Sequence, residues 1–122
     1  MEQRTSYHDA HLTLDFVRKT ATLDSHPLLL TRKEYDLLAL LVSYAGVIIP
    51  RAEVLMRVWG YSTEIRTRTL DVHIRHLRKK LGVYADLYIE TVFGIGHRFQ
   101  PYGASLRLQA AAPETSMLAL SA

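Results

Sequence analysis

One segment near the middle of the chain, RTRTLDVHIRHLRKKL at residues 66–81, constrains most strongly what this sequence can fold into. Its aliphatic residues recur at helical spacing and fall on one side of a helical wheel: Leu70, Ile74, Leu77 and Leu81. Gly82 follows directly and is suited to end a helix. The pattern predicts an amphipathic helix over 67–81 whose aliphatic side must be covered by other elements.

The opposite side of this predicted helix is cationic. The segment holds six of the 15 basic residues and one of the 12 acids, so the rest of the chain is slightly acidic. Asp71 is the one acid available, and its spacing predicts an ion pair with Arg75 or Arg68. Such a face is either a plain solvated surface or the binding surface for a polyanion, which relieves the repulsion among like charges. Val72 lies amid the polar face, where it fits contact with a thymine methyl or packing by a neighbouring loop.

Two further helices precede the cationic one. Thr31 followed by Glu34 forms a capping box and predicts a helix over 32–45. Pro50 introduces a second helix over 51–59, which Gly60 ends. Three helices in succession predict a small bundle.

Short strands flank the bundle on both sides in the sequence. Period-two alternation over 12–30, with a turn signal at 24–27, predicts three or four antiparallel strands. Residues 87–93 alternate in the same way, Gly94-Ile95-Gly96 predicts a turn, and 97–99 return as a hairpin. The order of sheet, three helices and hairpin indicates an α+β fold of the winged helix-turn-helix type, with the hairpin as the wing.

The 122 residues suffice for one domain, which we expect at 12–100. Residues 1–11 are polar and are expected to form a flexible lead-in, and the Ala-rich residues 101–122 a disordered tail. The longest strongly apolar run, at 37–42, is too short to span a bilayer, and the N-terminus has no signal-peptide core. We therefore expect a cytoplasmic protein without a membrane partner.

Enzymatic and metal chemistry find little support in the sequence. The chain has no cysteine, which excludes disulfides and thiolate metal sites. His73 and His76 have helical i,i+3 spacing but lack further ligands, so we expect no metal. The GxG at 94–96 lacks the rest of a dinucleotide motif, and no nucleophile motif or carboxylate pair is visible. We expect no catalysis, no cofactor and no small-molecule substrate.

Several aromatic and basic residues have two interpretations. Trp59 completes an apolar stripe with Leu55, although its indole N–H could reach a phosphate at the helix end. Arg51 at the start of the second helix is a candidate phosphate contact. On the cationic helix, we expect His73 to flank the core and His76 to face DNA.

Four separated blocks of the sequence, in order, resemble the DNA-binding effector domain of OmpR/PhoB-type response regulators. The blocks are LTRKEYDLLALL at 30–41, the stretch from Gly46 through WGY at 59–61, RTLDVHIRHLRKKL at 68–81 and IETVFGIGHRF at 89–99. The similarity covers roughly residues 12–100. It implies a four-stranded N-terminal sheet, a three-helix bundle and a C-terminal wing in a bacterial transcriptional regulator of the two-component phosphorelay type.

The resemblance also implies partners and a set of DNA-contacting residues. Such domains bind duplex DNA as head-to-tail pairs on direct repeats, and the loop before the recognition helix, here with Tyr61 and Glu64, contacts RNA polymerase. The positions where the recognition helix meets bases or phosphates are Arg68, Thr69, Val72, His73, Arg75, His76 and Arg78, and the positions of expected backbone contacts are Trp59 and Thr91. Beside this carried-over set, we also expect Arg51, Lys79 and Arg98 to contact DNA.

The sequence departs from the family pattern at two residues of the wing and in the domain that precedes it. Phe93 stands where most such regulators carry a basic residue, and His97 stands where they carry tyrosine, so the wing is less cationic than usual. Full regulators carry a phosphoacceptor receiver domain first, so the chain is expected to be a fragment or a stand-alone regulator.

A winged-helix module that binds an acidic protein through the same surface is the alternative to DNA binding.

Overall fold

The computed structural model describes residues 4–60 and 67–103, which form two small sheets around a helical bundle. The elements of the N-terminal half are β1 Ser6–His8, β2 Leu12–Asp15, β3 Thr20–Leu23, β4 His26–Pro27, α1 Arg32–Ser43, β5 Ile49–Pro50 and α2 Arg51–Trp59. The C-terminal half contains α3 Thr67–Leu81, a 3₁₀ turn Gly82–Tyr84, α4 Ala85–Tyr88, β6 Ile89–Val92 and β7 Gly96–Phe99.

The first sheet is antiparallel with strand order β1-β2-β3-β4. Alternate side chains of β2, Leu12 and Leu14, are fully buried against the helices. The two residues between β3 and β4, Asp24 and Ser25, both have positive φ, as a two-residue type I′ hairpin turn requires. Four short strands and this turn confirm the predicted N-terminal sheet.

The prediction of a flexible lead-in over 1–11 is wrong for residues 6–8, which form strand β1. Each residue of β1 pairs with one residue of β2. The carboxylate of Asp9 then accepts hydrogen bonds from the backbone N–H of His11 (2.9 Å) and from the hydroxyl of Tyr88 (2.7 Å). The lead-in is thereby tied to the C-terminal half of the chain. Sequence periodicity could not show this, because the partners lie 79 residues apart.

The three predicted helices are confirmed with small changes at their ends. Helix α1 begins with the predicted capping box at Thr31 and Glu34 and ends at Ser43, two residues earlier than expected. Helix α2 spans 51–59 and ends at Gly60, whose positive φ of 85° favours glycine. Helix α3 spans 67–81 as predicted. Its four aliphatic residues are buried in the common core, where they meet the leucines of α1.

The second sheet has strand order β5-β7-β6, and its strand β5 was not predicted. Ile49 of β5 pairs with His97, and Pro50 pairs with Gly96. A Cβ atom at Gly96 would lie 2.0 Å from the carbonyl oxygen of Ile49, so the close approach of β5 requires glycine there. The hairpin spans 89–99 and not 87–99, because Leu87 and Tyr88 belong to α4.

Candidate nucleic-acid interface

Helix α3 exposes a cationic face that the rest of the described structure leaves uncovered. Arg68, Arg75 and Lys79 are exposed on it. None of the three has a hydrogen-bond or ion-pair partner within residues 4–60 and 67–103. Three unpaired cations along one side of a 15-residue helix form a positively charged strip about 16 Å long.

An open cleft of about 510 Å³ lies along the N-terminal half of this face. The described residues that line it are Arg68, Asp71, Val72 and Arg75. Val72 is half-buried, so the valine that the sequence places amid polar residues forms part of the cleft wall. The cleft combines guanidinium donors with one apolar surface, a combination that suits the edges of base pairs.

Asp71 does not pair with Arg75 or Arg68, and that prediction is wrong. Its carboxylate accepts from the guanidinium of Arg51 at 2.8 Å, which joins the start of α2 to the exposed face of α3. Arg51, predicted as a phosphate contact, is thus engaged with a carboxylate. The pairing leaves both α3 arginines of the cleft available for a ligand.

Arg78, which the family resemblance places at the DNA, is directed instead toward α4 and β6. Its guanidinium donates to the carbonyl oxygen of Ile89 at 2.6 Å and contacts the carboxylate of Asp86. These partners follow α3 in the chain and lead into the hairpin. The contacts make Arg78 a link between α3 and strand β6.

The predicted site residues at the α2 side of α3 are partly covered. Trp59 and His73 pack edge to face with ring centroids 4.9 Å apart. The Nδ1 atom of His73 lies 2.8 Å from the carbonyl oxygen of Thr69, to which it donates. His73 therefore flanks the core as expected, and Trp59 and Thr69 are both half-buried.

Glu34, which the sequence indicated only as part of a helix cap, also determines which cations of α3 remain unpaired. Its buried carboxylate accepts from Lys80 at 2.6 Å and from the backbone N–H of Thr31 at 3.0 Å. Burial alone would raise the pKa of Glu34, but these hydrogen bonds outweigh burial and hold the pKa below its usual value. Glu34 withdraws Lys80 from the cationic face, and it also lies 3.7 Å from Nδ1 of the half-exposed His76.

The hairpin beside α3 carries no unpaired cation. Arg98, a predicted contact, donates to the carboxylate of Glu90 at 2.6 Å and 2.9 Å. The Oγ1 atom of Thr91, another predicted contact, lies 3.1 Å from Nδ1 of His97. The turn between the strands instead exposes Phe93 and Ile95.

His97 is buried at the centre of the second sheet. Its side chain is 2 % exposed, and its Nε2 atom has no hydrogen-bond partner in the described structure. Burial, reinforced by the charge of Arg51, lowers the pKa of His97. The imidazole is accordingly neutral at pH 7.

Some predictions lie outside the described residues. Tyr61 and Glu64, expected to contact RNA polymerase, belong to residues 61–66, and most of the predicted tail lies beyond residue 103. Within the described ranges, no group of three or more His, Asp or Glu side chains is arranged to hold a metal ion. The helices described here are all too short or too polar to cross a membrane.

Comparison with known proteins places these features in a family. Residues 25–99 match the family model described as "Transcriptional regulatory protein, C terminal". The response regulator ArlR of Staphylococcus saprophyticus is 48 % identical over 77 residues, which cover 62 % of this chain and 35 % of that protein. ArlR of Staphylococcus aureus is 41 % identical over 87 residues, covering 70 % of this chain and 40 % of ArlR. The chain therefore spans well under half the length of these curated relatives.

Solved structures show the same architecture. The DNA-binding domain of Klebsiella pneumoniae RstA, solved in complex with the RstA box, superposes with a TM-score of 0.72 and 31 % identity, covering 81 % of this chain and all of that one. The response regulator DrrB, a Thermotoga maritima OmpR/PhoB homologue, gives a TM-score of 0.73 at 26 % identity, over 80 % of this chain and 45 % of DrrB. The shared helical bundle, the flanking sheets and the family match over 25–99 together show that this chain belongs to the C-terminal winged-helix domains of OmpR/PhoB-type transcriptional regulatory proteins.

Proposed function

We propose that this chain binds duplex DNA in a sequence-specific way, with α3 as the recognition helix in the major groove, and thereby regulates transcription. The observation that carries the proposal is the set of unpaired cations on the exposed face of α3: Arg68, Arg75 and Lys79. A helix about 10–12 Å in diameter fits a major groove about 12 Å wide.

The contacts around the cleft suggest separate roles along the helix. Arg68 and Arg75 flank Val72, so this part of α3 can offer bidentate donors to guanine and an apolar contact to a thymine methyl. Lys79 lies one turn beyond Arg75 and is suited to a phosphate. The remaining predicted contacts are expected to contribute less to binding, since each is partly covered or paired with a neighbour. They are Trp59, Thr69, His73, His76 and Thr91.

The wider regulatory role is inferred from the family. ArlR and DrrB are response regulators, which supports a place for this chain in two-component signalling in a bacterial cytoplasm. We infer binding of two copies to direct repeats and contact with RNA polymerase through the segment holding Tyr61 and Glu64. The family is one of transcriptional regulators and not of enzymes, so no catalytic role is proposed.

Selection of binding sites from a random duplex library tests the proposal. Enrichment of a direct repeat spaced by about one helical turn, with affinity that falls steeply as salt rises, is the expected result. Salt-sensitive binding without an enriched sequence would retain DNA binding but refute sequence-specific recognition. Absence of binding even at low salt would refute the proposal and favour an acidic protein as the ligand of the same face.

A further inference from the structure

The cleft on α3 contains one carboxylate among its cationic side chains. Asp71 lines the cleft together with Arg68 and Arg75, and its side chain is 58 % exposed. An acid at this place opposes DNA binding in two ways, because it repels phosphates and because it can pair with the arginines that would meet base edges. The cleft therefore suits DNA only while another cation occupies this carboxylate.

Helical spacing makes Arg75 the strongest competitor on α3 for the carboxylate of Asp71. Asp71 precedes Arg75 by four residues and follows Arg68 by three. An acid four residues before a base is the favoured order for an ion pair on a helix. An isolated helix would thus direct Asp71 to Arg75, as the sequence predicts, and would withdraw that guanidinium from a ligand.

Arg51 prevents this pair in the folded structure. Its guanidinium lies 2.8 Å from the carboxylate of Asp71, and its side chain is largely covered, at 27 % exposed. Its backbone N–H donates to the carbonyl oxygen of Ile95 at 3.1 Å, and the preceding Pro50 pairs with Gly96 of β7. Because the start of α2 is anchored in this way, the pair costs less conformational entropy than a pair between two fully exposed side chains.

We propose that Arg51 is a positioning residue of the DNA-binding face: it occupies the carboxylate of Asp71 and so leaves Arg68 and Arg75 free for base edges, without contacting DNA itself. The inference rests on the proposed function and gives Arg51 a role other than the phosphate contact expected from the sequence. Two arginines and one aspartate give the described lining of the cleft a net charge of +1, and Arg51 raises it to +2. Removing Arg51 therefore lowers the charge of the cleft and releases the carboxylate to Arg75.

Fluorescence anisotropy of the full chain on its selected duplex tests this role through a double-mutant cycle. Arg51→Ala is expected to lower affinity about two- to fivefold, the range given by an ion pair at helical spacing and by one unit charge about 4 Å away in water. Asp71→Asn is expected to bind at least as tightly as the wild-type chain. In the Asp71→Asn background, Arg51→Ala should have almost no further effect, because no carboxylate is left to capture Arg75.

Repeated site selection supplies a readout that a purely structural role would not change. Arg51→Ala should relax base preference at the same operator position as Arg75→Ala, because the same guanidinium is withdrawn. Arg57→Ala is the matched control and should keep wild-type affinity and preference. Arg57 also lies on α2 and pairs with a carboxylate, that of Glu53 at 2.9 Å, but it then contacts Tyr44 at the end of α1.

Urea unfolding of each variant establishes that it is folded under the binding conditions, and Arg51→Met, which removes the charge but keeps most of the side chain, replaces Arg51→Ala if that variant is unfolded. A loss of affinity that persists at full size in the Asp71→Asn background would overturn the inference and make Arg51 a direct DNA contact. Unchanged affinity in folded Arg51→Ala would also overturn it, while leaving the proposed function intact. If the wild-type chain itself binds no duplex, the proposed function fails, and this inference fails with it.

Discussion

Arg78 and Lys79 are adjacent cations on α3 whose surroundings predict opposite consequences for the same substitution. Arg78 donates to the carbonyl oxygen of Ile89 and contacts Asp86, which ties α3 to strand β6. Lys79 is exposed and has no partner in the described structure. Arg78→Ala should therefore reduce stability, whereas Lys79→Ala should reduce the affinity for DNA.

The size of the stability loss follows from the contacts removed. A hydrogen bond from a charged donor contributes about 1.5–3 kcal/mol, and the bond to Ile89 is of this kind. The contact with Asp86 adds little, because the Asp86 side chain is 89 % exposed. We expect Arg78→Ala to lower the free energy of unfolding by about 1.5–3 kcal/mol. The free energy of unfolding of Lys79→Ala should stay within about 0.5 kcal/mol of the wild-type value.

Urea unfolding at pH 7 measures both variants with two probes. Far-UV circular dichroism reports the helices, and the single tryptophan, Trp59, reports the contact between α2 and α3. Coincident transitions from the two probes would justify a two-state free energy. The affinity for the selected duplex is then measured well below the unfolding transition, where both variants are folded.

The two variants should separate cleanly in the binding assay. Lys79→Ala should weaken binding to all sequences alike and reduce the salt slope by about 0.9, whereas folded Arg78→Ala should keep the wild-type slope. Wild-type stability in Arg78→Ala together with a reduced salt slope would refute this reasoning. That result would return Arg78 to the DNA-contacting set that the family resemblance implies.

Three other substitutions test separate parts of the structure. Arg75→Ala should relax base preference at one operator position by about 1–3 kcal/mol without a loss of stability, and an unchanged preference in repeated site selection would remove Arg75 from base recognition. Burial lowers the pKa of His97, so the folded state binds a proton at this residue less readily than the unfolded state does. The stability that the neutral imidazole contributes is therefore complete above about pH 6.5 and declines as pH falls toward the lowered pKa. Unfolding free energies at pH 7.5 and pH 5.5 should thus differ less in His97→Tyr than in the wild type, and equal differences would contradict this role. Gly96→Ala should cost about 1–3 kcal/mol in urea unfolding, because its Cβ would meet the carbonyl oxygen of Ile49, and a neutral result would mean that β5 is free to move.

Local patterns in the sequence predicted those features whose cause is local. The capping box at Thr31, the aliphatic spacing in α3 and the tight turn at Asp24 and Ser25 each act within a few residues. The amphipathic pattern of α3 also predicted its buried and exposed sides, because a helix that buries one stripe must expose the other. The family blocks then indicated the order of the elements and the identity of the recognition helix.

Tertiary structure decided which cations are left for a ligand. Arg51 forms an ion pair with Asp71 on a different helix, and Glu34 forms one with Lys80, which lies 46 residues away in the chain. Arg78 donates a hydrogen bond to the carbonyl oxygen of Ile89. None of these partners lies at helical spacing from the residue it engages, so neither a helical wheel nor a sequence motif could predict these pairs. The short strands β1 and β5 were missed for a related reason: at three and two residues they have too little alternation to be recognised, and they exist because a longer strand lies beside each.

The sequence by itself therefore determined that this chain folds as a winged helix with a cationic recognition helix. Periodicity, capping and turn chemistry act over short distances, and the residues that supply them are adjacent in the chain. Packing alone decided that Arg68, Arg75 and Lys79 stay unpaired while their neighbours are engaged, and that Phe93 is almost fully exposed at the hairpin turn. The reason is that an ion pair depends on which side chains the folded core brings within about 4 Å, and that distance is set by the whole structure.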